Sequence, residues 1–223
     1  MKIFATSDIH GNRVIIDKLP SIANDADLIL ICGDIGGKGI WGKTPKRFSE
    51  CQRDDADYLT GVISGLSIPS RFIPGNDDWF EIEGECAHYL SKREQIGPAD
   101  LIPFEFVLVT PFNTNREVNE NKLRYELEKL SANENSIIVA HTPPFGAGDT
   151  LSNGSYCGSK SVRAWIEETQ PLIWLCGHIH EDNSVNLIGE TYIFNCACWY
   201  TDNLLKGWLI DTDDPANYVR IAV

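Results

Sequence analysis

An α/β fold is predicted by two features of the sequence: short apolar runs alternate with helical periodicity over most of the chain, and those runs carry few polar interruptions. Runs at 2–5, 28–32, 71–73, 106–109, 137–140 and 172–176 are mostly rich in Ile, Val and Leu, as strands buried on both faces are. Between them, residues 13–19, 47–66, 117–130 and 159–168 space their apolar side chains by three and four, with polar residues opposite, so each predicts an amphipathic helix. The last forty residues change character. Segments 184–188, 191–195, 207–211 and 217–222 read as strands of an antiparallel meander, with Gly189-Glu190 as a hairpin turn. Stretches 33–42 and 147–158 read as long surface loops.

A content of 43% apolar and 10% aromatic residues in 223 positions is enough to build a substantial core. No repeat, linker or composition break divides the chain, so residues 1–223 are expected to form a single domain. The formal charge of −13 makes nucleic acid an unfavoured partner. Any phosphate-bearing ligand must then be held locally, and a bound cation inverts the field of an acidic site. Seven cysteines, an odd number without a CxxC pair, point to buried thiols in a reducing compartment. No signal-like segment or membrane-spanning run is present, so no membrane association and a cytoplasmic location are expected.

Four of the five histidines follow predicted strands: His10, His141, His178 and His180. In open α/β sheets, ligands gather beyond the carboxyl ends of strands. "ATSDIHG" carries Asp8 and His10 two residues apart, which in extended backbone points both side chains one way; equally, Ser7 or Asp8 reads as a helix cap. "GDIGG" places Asp34 after a strand, as a turn acid or a ligand. "AHTPP" sets His141 before a stiff Pro-Pro pair, and "GHIH" repeats the alternate spacing at His178 and His180. Imidazole nitrogen combined with carboxylate oxygen suits divalent transition ions, and two such pairs supply donors for two of them.

In order, Asp8-x-His10, Gly33-Asp34, Gly75-Asn76-Asp77-Asp78, His141 and Gly177-His178-x-His180 resemble the five sequence blocks of the calcineurin-like metallophosphoesterases. The resemblance implies a four-layer αββα sandwich of two mixed β-sheets with a dinuclear metal site at the strand ends. It implies that one ion takes Asp8, His10 and His180, the other Asn76, His141 and His178, with Asp34 bridging. The two divalent ions, manganese favoured and iron, zinc, cobalt or nickel compatible, would lie roughly 3.5–4 Å apart and carry a bridging hydroxide for in-line attack on phosphorus.

The catalytic set implied is Asn76, His141 and Asp77, the last standing where family members with an efficient general acid carry His. An aspartate with an ordinary pKa of about 3.9 seldom holds a proton at neutral pH. In this departure the chain is similar to small bacterial and archaeal phosphodiesterases that also lack that His. The expected activity is therefore hydrolysis of small phosphodiesters with good leaving groups. A phosphomonoesterase acting on nucleotides or other small phosphates is the alternative, and a protein-binding scaffold with this fold the alternative of another class. The protein-phosphatase branch is disfavoured, because its Asp-Arg-Gly extension and the Arg before Gly-Asn-His are absent. In "GGKGIWGKTPKR", Lys38, Lys43, Lys46 and Arg47 beside Trp41 read either as anion contacts or as a solvated loop. A homodimer through the strand-rich C-terminal end is conceivable, and the sequence leaves the oligomeric state open.

Overall fold

The computed structural model describes residues 1–38, 45–82 and 86–223, with the side chains of residues 45 and 46 left out of the description. The chain begins with β1 (Lys2–Thr6), α1 (Arg13–Ile16), α2 (Leu19–Ile22), β2 (Leu28–Cys32), α3 (Pro45–Ser64) and β3 (Ser70–Ile73). The middle follows as β4 (Glu94–Ile96), β5 (Ala99–Phe104), β6 (Val107–Leu108), β7 (Glu117–Val118), α4 (Glu120–Leu127), β8 (Ser136–Ala140), α5 (Lys160–Thr169) and β9 (Ile173–Cys176). Two hairpins close it: β10 (Val185–Ile188) with β11 (Thr191–Asn195), and β12 (Lys206–Asp211) with β13 (Tyr218–Ala222).

Two mixed sheets result, ordered β13-β12-β1-β2-β3 and β10-β11-β9-β8-β5-β4, together with a two-stranded β6-β7 pair. Because strand side chains alternate in direction, the continuous apolar runs feed two layers at once. Ile3, Ala5, Leu28 and Leu30 meet Ile137, Val139, Ile173 and Leu175 between the sheets. Phe4, Ile29 and Ile31 face outward onto Ile15 and Ile16 of α1, Leu19 of α2 and Leu59 and Ile63 of α3. Ile138 and Trp174 face the other way, onto Leu123 and Leu127 of α4 and Val162 and Ile166 of α5. The architecture is the expected αββα sandwich. Fully burying a side chain of the size of Phe4 or Phe194 contributes about 1.5–3 kcal/mol, so every layer matters to the whole.

The structure corrects several expectations. The strand expected at 106–109 shrinks to β6, which pairs with β7 and with neither main sheet. Residues 117–118, expected to be helical, form that β7 strand. The helix expected over 13–19 is two short ones, because Pro20 has no N–H to continue α1. Asn12, rather than Ser7 or Asp8, caps α1 by accepting from Val14 and Ile15 N–H. The C-terminal strands are not one meander: β10-β11 joins one sheet and β12-β13 the other.

Candidate metal centre

Five strands end on the same side of the sandwich. β1 delivers Asp8 and His10, β2 delivers Asp34, β3 delivers Asn76 to Asp78, β8 delivers His141, and β9 delivers His178 and His180. The loops are stitched to one another within each sheet and, through His141, between the sheets. Ser7 Oγ donates to Cys32 O at 2.9 Å, the ring Nδ1 of His141 bonds that same carbonyl at 2.7 Å, and Gly177 N donates to His141 O at 3.1 Å. Two glycines permit the approach: a Cβ on Gly75 would stand 2.2 Å from Asp34 Oδ1, and one on Gly177 2.3 Å from Asp8 Oδ2. Asp8, His10, Asp34 and His178 all take left-handed backbone, with φ of 59°, 47°, 52° and 70°. Such residues cost on the order of 1–3 kcal/mol each and persist where the surroundings over-determine them. Asp8 and His10 therefore converge through left-handed turns and not through the extended alternation expected of their spacing.

Potential ligand atoms of Asp8, His10 and His180 lie within 4.8 Å of one another, as do those of Asp8, Asp34 and His141, and those of His10, Asp34 and Asp77. Asp8, His10 and Asp34 each belong to two of these groups, so the three overlap in one cluster with donors enough for more than one ion. His180 Nε2 is 2.9 Å from Asp8 Oδ1 and 3.3 Å from His10 Nε2; Asp34 Oδ2 is 3.6 Å from His10 Nε2 and 3.4 Å from His141 Nε2. His178 falls outside these three groups. Its backbone N–H donates to Asp8 Oδ2 at 3.0 Å, and its ring packs edge-on against that of His141 with centroids 5.2 Å apart.

The donor set is suited to divalent cations. Burial works against ionising Asp8, yet His180 and His141 outweigh it and hold its carboxyl below the usual range. Asp34, also buried, is held down by His141 and His10. Burial drives His10 and His178 down to about 4, so both imidazoles are neutral at pH 7, the form that ligates. His141 is the exception: against burial, Asp34 and Asp8 push it up to about 10, and a cation at Nε2 would displace that proton.

Two buried atoms carry the test of fit. Asn76 Oδ1 makes no hydrogen bond, and His141 Nε2 makes none of normal geometry and faces only Asp34 Oδ2 at 3.4 Å; an orphaned buried polar atom costs about 1–3 kcal/mol. The rest of each side chain is fixed so that the orphan is held free. His141 is tied through Nδ1 to Cys32 O, while Asn76 Nδ2 donates to Thr114 Oγ1 at 2.7 Å, and that hydroxyl bonds Glu117 Oε1. Thr114 and Glu117 were not legible as site residues, because nothing in their local sequence marks a contact to Asn76.

Asp77 points into the site with its side chain 21% exposed, and its carboxylate pairs with Lys38, Nζ to Oδ2 3.4 Å. Burial and then the charge of Asp34 push the Asp77 carboxyl up, while Lys38 opposes them. Asp78, to which no role was assigned from sequence, is fully buried. It accepts from three backbone N–H groups, those of Ile35 at 3.1 Å, Gly36 at 2.7 Å and Gly75 at 2.8 Å, and so ties the loop after β2 to the loop after β3. Burial and Asp34 push its carboxyl up to about 7 against those donors. Of the basic stretch singled out in the sequence, Trp41, Lys43 and the side chain of Lys46 lie outside the described residues, Arg47 stands in the first turn of α3, and Lys38 reaches the mouth of the site.

Comparison with known proteins places the chain in a family and agrees with the fold. Residues 1–182 match the family described as calcineurin-like phosphoesterase. An uncharacterized protein of Methanocaldococcus jannaschii is 30% identical over 211 residues, which cover 87% of this chain and 87% of that protein. A solved structure from Thermus thermophilus is similar with a TM-score of 0.68 at 15% identity, covering 99% of this chain and 98% of the other. Another, described as a novel archaeal phosphodiesterase, is similar with a TM-score of 0.51 at 14% identity over 100% of both chains. At these identities the structural likeness is one of fold.

Proposed function

Because the chain belongs to the calcineurin-like phosphoesterase family, we propose that it is a two-metal phosphodiesterase acting on small phosphate esters. In this reading Asp8, His10 and His180 hold one ion, Asn76, His141 and His178 the other, and Asp34 lies between them. The shared carboxylates and the two orphaned atoms, Asn76 Oδ1 and His141 Nε2, support that assignment. Divalent cations, when bound, supply Lewis acidity and an acidified water. The chain's own residues do the rest. The loop stitching holds the donors rigid, the neutral amide of Asn76 leaves positive charge available for phosphate, and the Lys38–Asp77 pair faces the incoming ester. We also treat residues 1–223 as one domain, which the pairing of β1 with β12 supports, and the cytoplasm as its location; no helix among the described residues is long and apolar enough to cross a membrane.

The preference for diesters rests on Asp77. A monoester dianion brings an additional negative charge toward this carboxylate, whereas a diester monoanion does not, and like charges at close range are mutually unfavourable. Burial and Asp34 push the Asp77 carboxyl up, but in this reading the Lys38 ammonium 3.4 Å away keeps it ionised, so substrates with good leaving groups are favoured. The test is turnover of bis(4-nitrophenyl) phosphate against 4-nitrophenyl phosphate by manganese-reconstituted protein. We expect diester kcat/KM to lead by about tenfold or more, equivalent to about 1.4 kcal/mol. A lead for the monoester would overturn the preference, and fewer than one equivalent of bound manganese would favour the scaffold reading.

The orientation of Asn76 gives a second expected result. Thr114→Val keeps the shape of the side chain and removes the hydroxyl that fixes the Asn76 amide. Groups that orient ligands are typically worth about 10–100-fold in metal affinity or activity. Titration of metal-free protein with manganese should show one of two sites weakened by about that factor and the other unchanged; two unchanged sites would refute the role.

A further inference from the structure

The turn after β11 places two aromatic rings against the metal centre. The Tyr200 ring lies edge-on to His10, 4.7 Å between centroids, and to His180 at 5.7 Å; the Trp199 ring lies 6.3 Å from that of His180 at 74°. Tyr200 is half-buried behind the histidines, whereas Trp199 leaves 41% of its surface to solvent. The turn is firmly anchored. Cys198 N donates to Ser7 O at 2.9 Å, Asn12 Nδ2 donates to Tyr200 O at 2.6 Å and to Asn203 Oδ1 at 2.8 Å, and Lys18 Nζ donates to Asn203 O at 2.7 Å. The indole is thus presented by fixed backbone, one residue from the ring that packs on two predicted ligands.

A single exposed tryptophan is ordinary on a protein surface. What sets Trp199 apart is its place: its ring packs against that of His180, a member of the candidate metal cluster. Lys38 adds a positive charge on the same side, with Nζ 5.4 Å from the Tyr200 ring centroid. A phosphate held among Asp8, Asp34 and the histidines must direct its ester groups outward, and beside His180 stands the partly exposed indole of Trp199. A flat, polarisable ring offers most to another flat ring, because stacking requires two faces.

We propose that Trp199 is a stacking platform for a planar aromatic ester group, so that the site takes nucleoside phosphate esters in preference to sugar or alkyl phosphate esters. The proposal names the substrate class of the phosphoesterase reading and rests on it. Lys38 meets the phosphate charge, Trp199 the base, and Tyr200 sets the floor between them.

Binding of AMP and of ribose 5-phosphate to manganese-loaded protein, measured by calorimetry, isolates the base, because the two ligands share sugar and phosphate. Base–aromatic stacking is worth about 1–3 kcal/mol, so AMP should bind about tenfold or more tightly. Trp199→Ala should bring AMP to the level of ribose 5-phosphate and leave ribose 5-phosphate unchanged. Trp199→Phe, which retains a ring, should keep most of the difference and control for disturbance of the turn. Equal binding of the two ligands by wild-type protein, or parallel loss of both in Trp199→Ala, would overturn the assignment. Absence of diester turnover would instead overturn the proposed activity, and the binding ratio would still be read.

Discussion

Asp34→Asn is expected to lower kcat/KM for a diester roughly a thousandfold, about 4 kcal/mol, and to leave the manganese-reconstituted protein with at most one tightly held ion. Asp34 Oδ2 lies 3.6 Å from His10 Nε2 and 3.4 Å from His141 Nε2, so in the proposed assignment its charge serves both ions. The substitution is nearly isosteric. An asparagine Oδ1 still accepts the Asp77 N–H that Asp34 Oδ1 now accepts at 2.8 Å, so the loop after β3 keeps its anchor and the loss reports the missing charge. Lewis-acid stabilisation of a phosphoryl transition state is worth several kcal/mol, which sets the size of the effect. Metal content and steady-state kinetics on one preparation check it. Two retained equivalents with activity within about tenfold of wild type would remove Asp34 from its shared position.

Asp78→Ala is expected to destabilise the metal-free protein by about 3–5 kcal/mol. Three buried N–H groups, of Ile35, Gly36 and Gly75, lose their acceptor together, and each unsatisfied buried group costs about 1–3 kcal/mol, reduced here by whatever the loops can relax. Asp78→Asn should lose less, about 2 kcal/mol, because one oxygen remains while the amide N–H₂ confronts a backbone donor. Urea unfolding with chelator present separates this effect from metal binding. A loss below about 1 kcal/mol for the alanine variant would mean that the two loops are held together by something else.

The parts of the fold that were legible in the sequence are those where one residue type dominates the physics. Uninterrupted apolar runs such as Leu28–Cys32 disclosed themselves because every position is buried in one layer or the other. β4 and β5 did not, since Gly97-Pro98 breaks the pattern and Asp100 sits within β5, satisfied by Arg93. The histidines and aspartates at strand ends were legible by kind and place. The reason they converge was not: Asp and His enter the left-handed region more readily than most non-glycine residues, but that Asp8, His10, Asp34 and His178 all do so here is decided by tertiary packing. The same holds for Asp78, whose donors at Ile35 and Gly36 are more than forty residues away, and for Trp199, which follows the five recognisable blocks and owes its place beside His180 to packing.

The family match ends at residue 182, yet both main sheets are completed beyond it. β11 lies against β9, β12 lies against β1, and Ser7 forms an isolated bridge to Ala197. On the ribosome, Asp8 and His10 are made before the other predicted ligands, but β1, the strand they follow, keeps one edge open until residues 206–211 have been made. An open apolar edge is a template for wrong partners, and pairings between distant parts of a chain close slowly. The first of these ligands to be translated thus follow a strand among the last to be secured, which places assembly of the centre after synthesis of the C-terminal hairpin and leaves the waiting edge of β1 open to misassembly in a nascent chain.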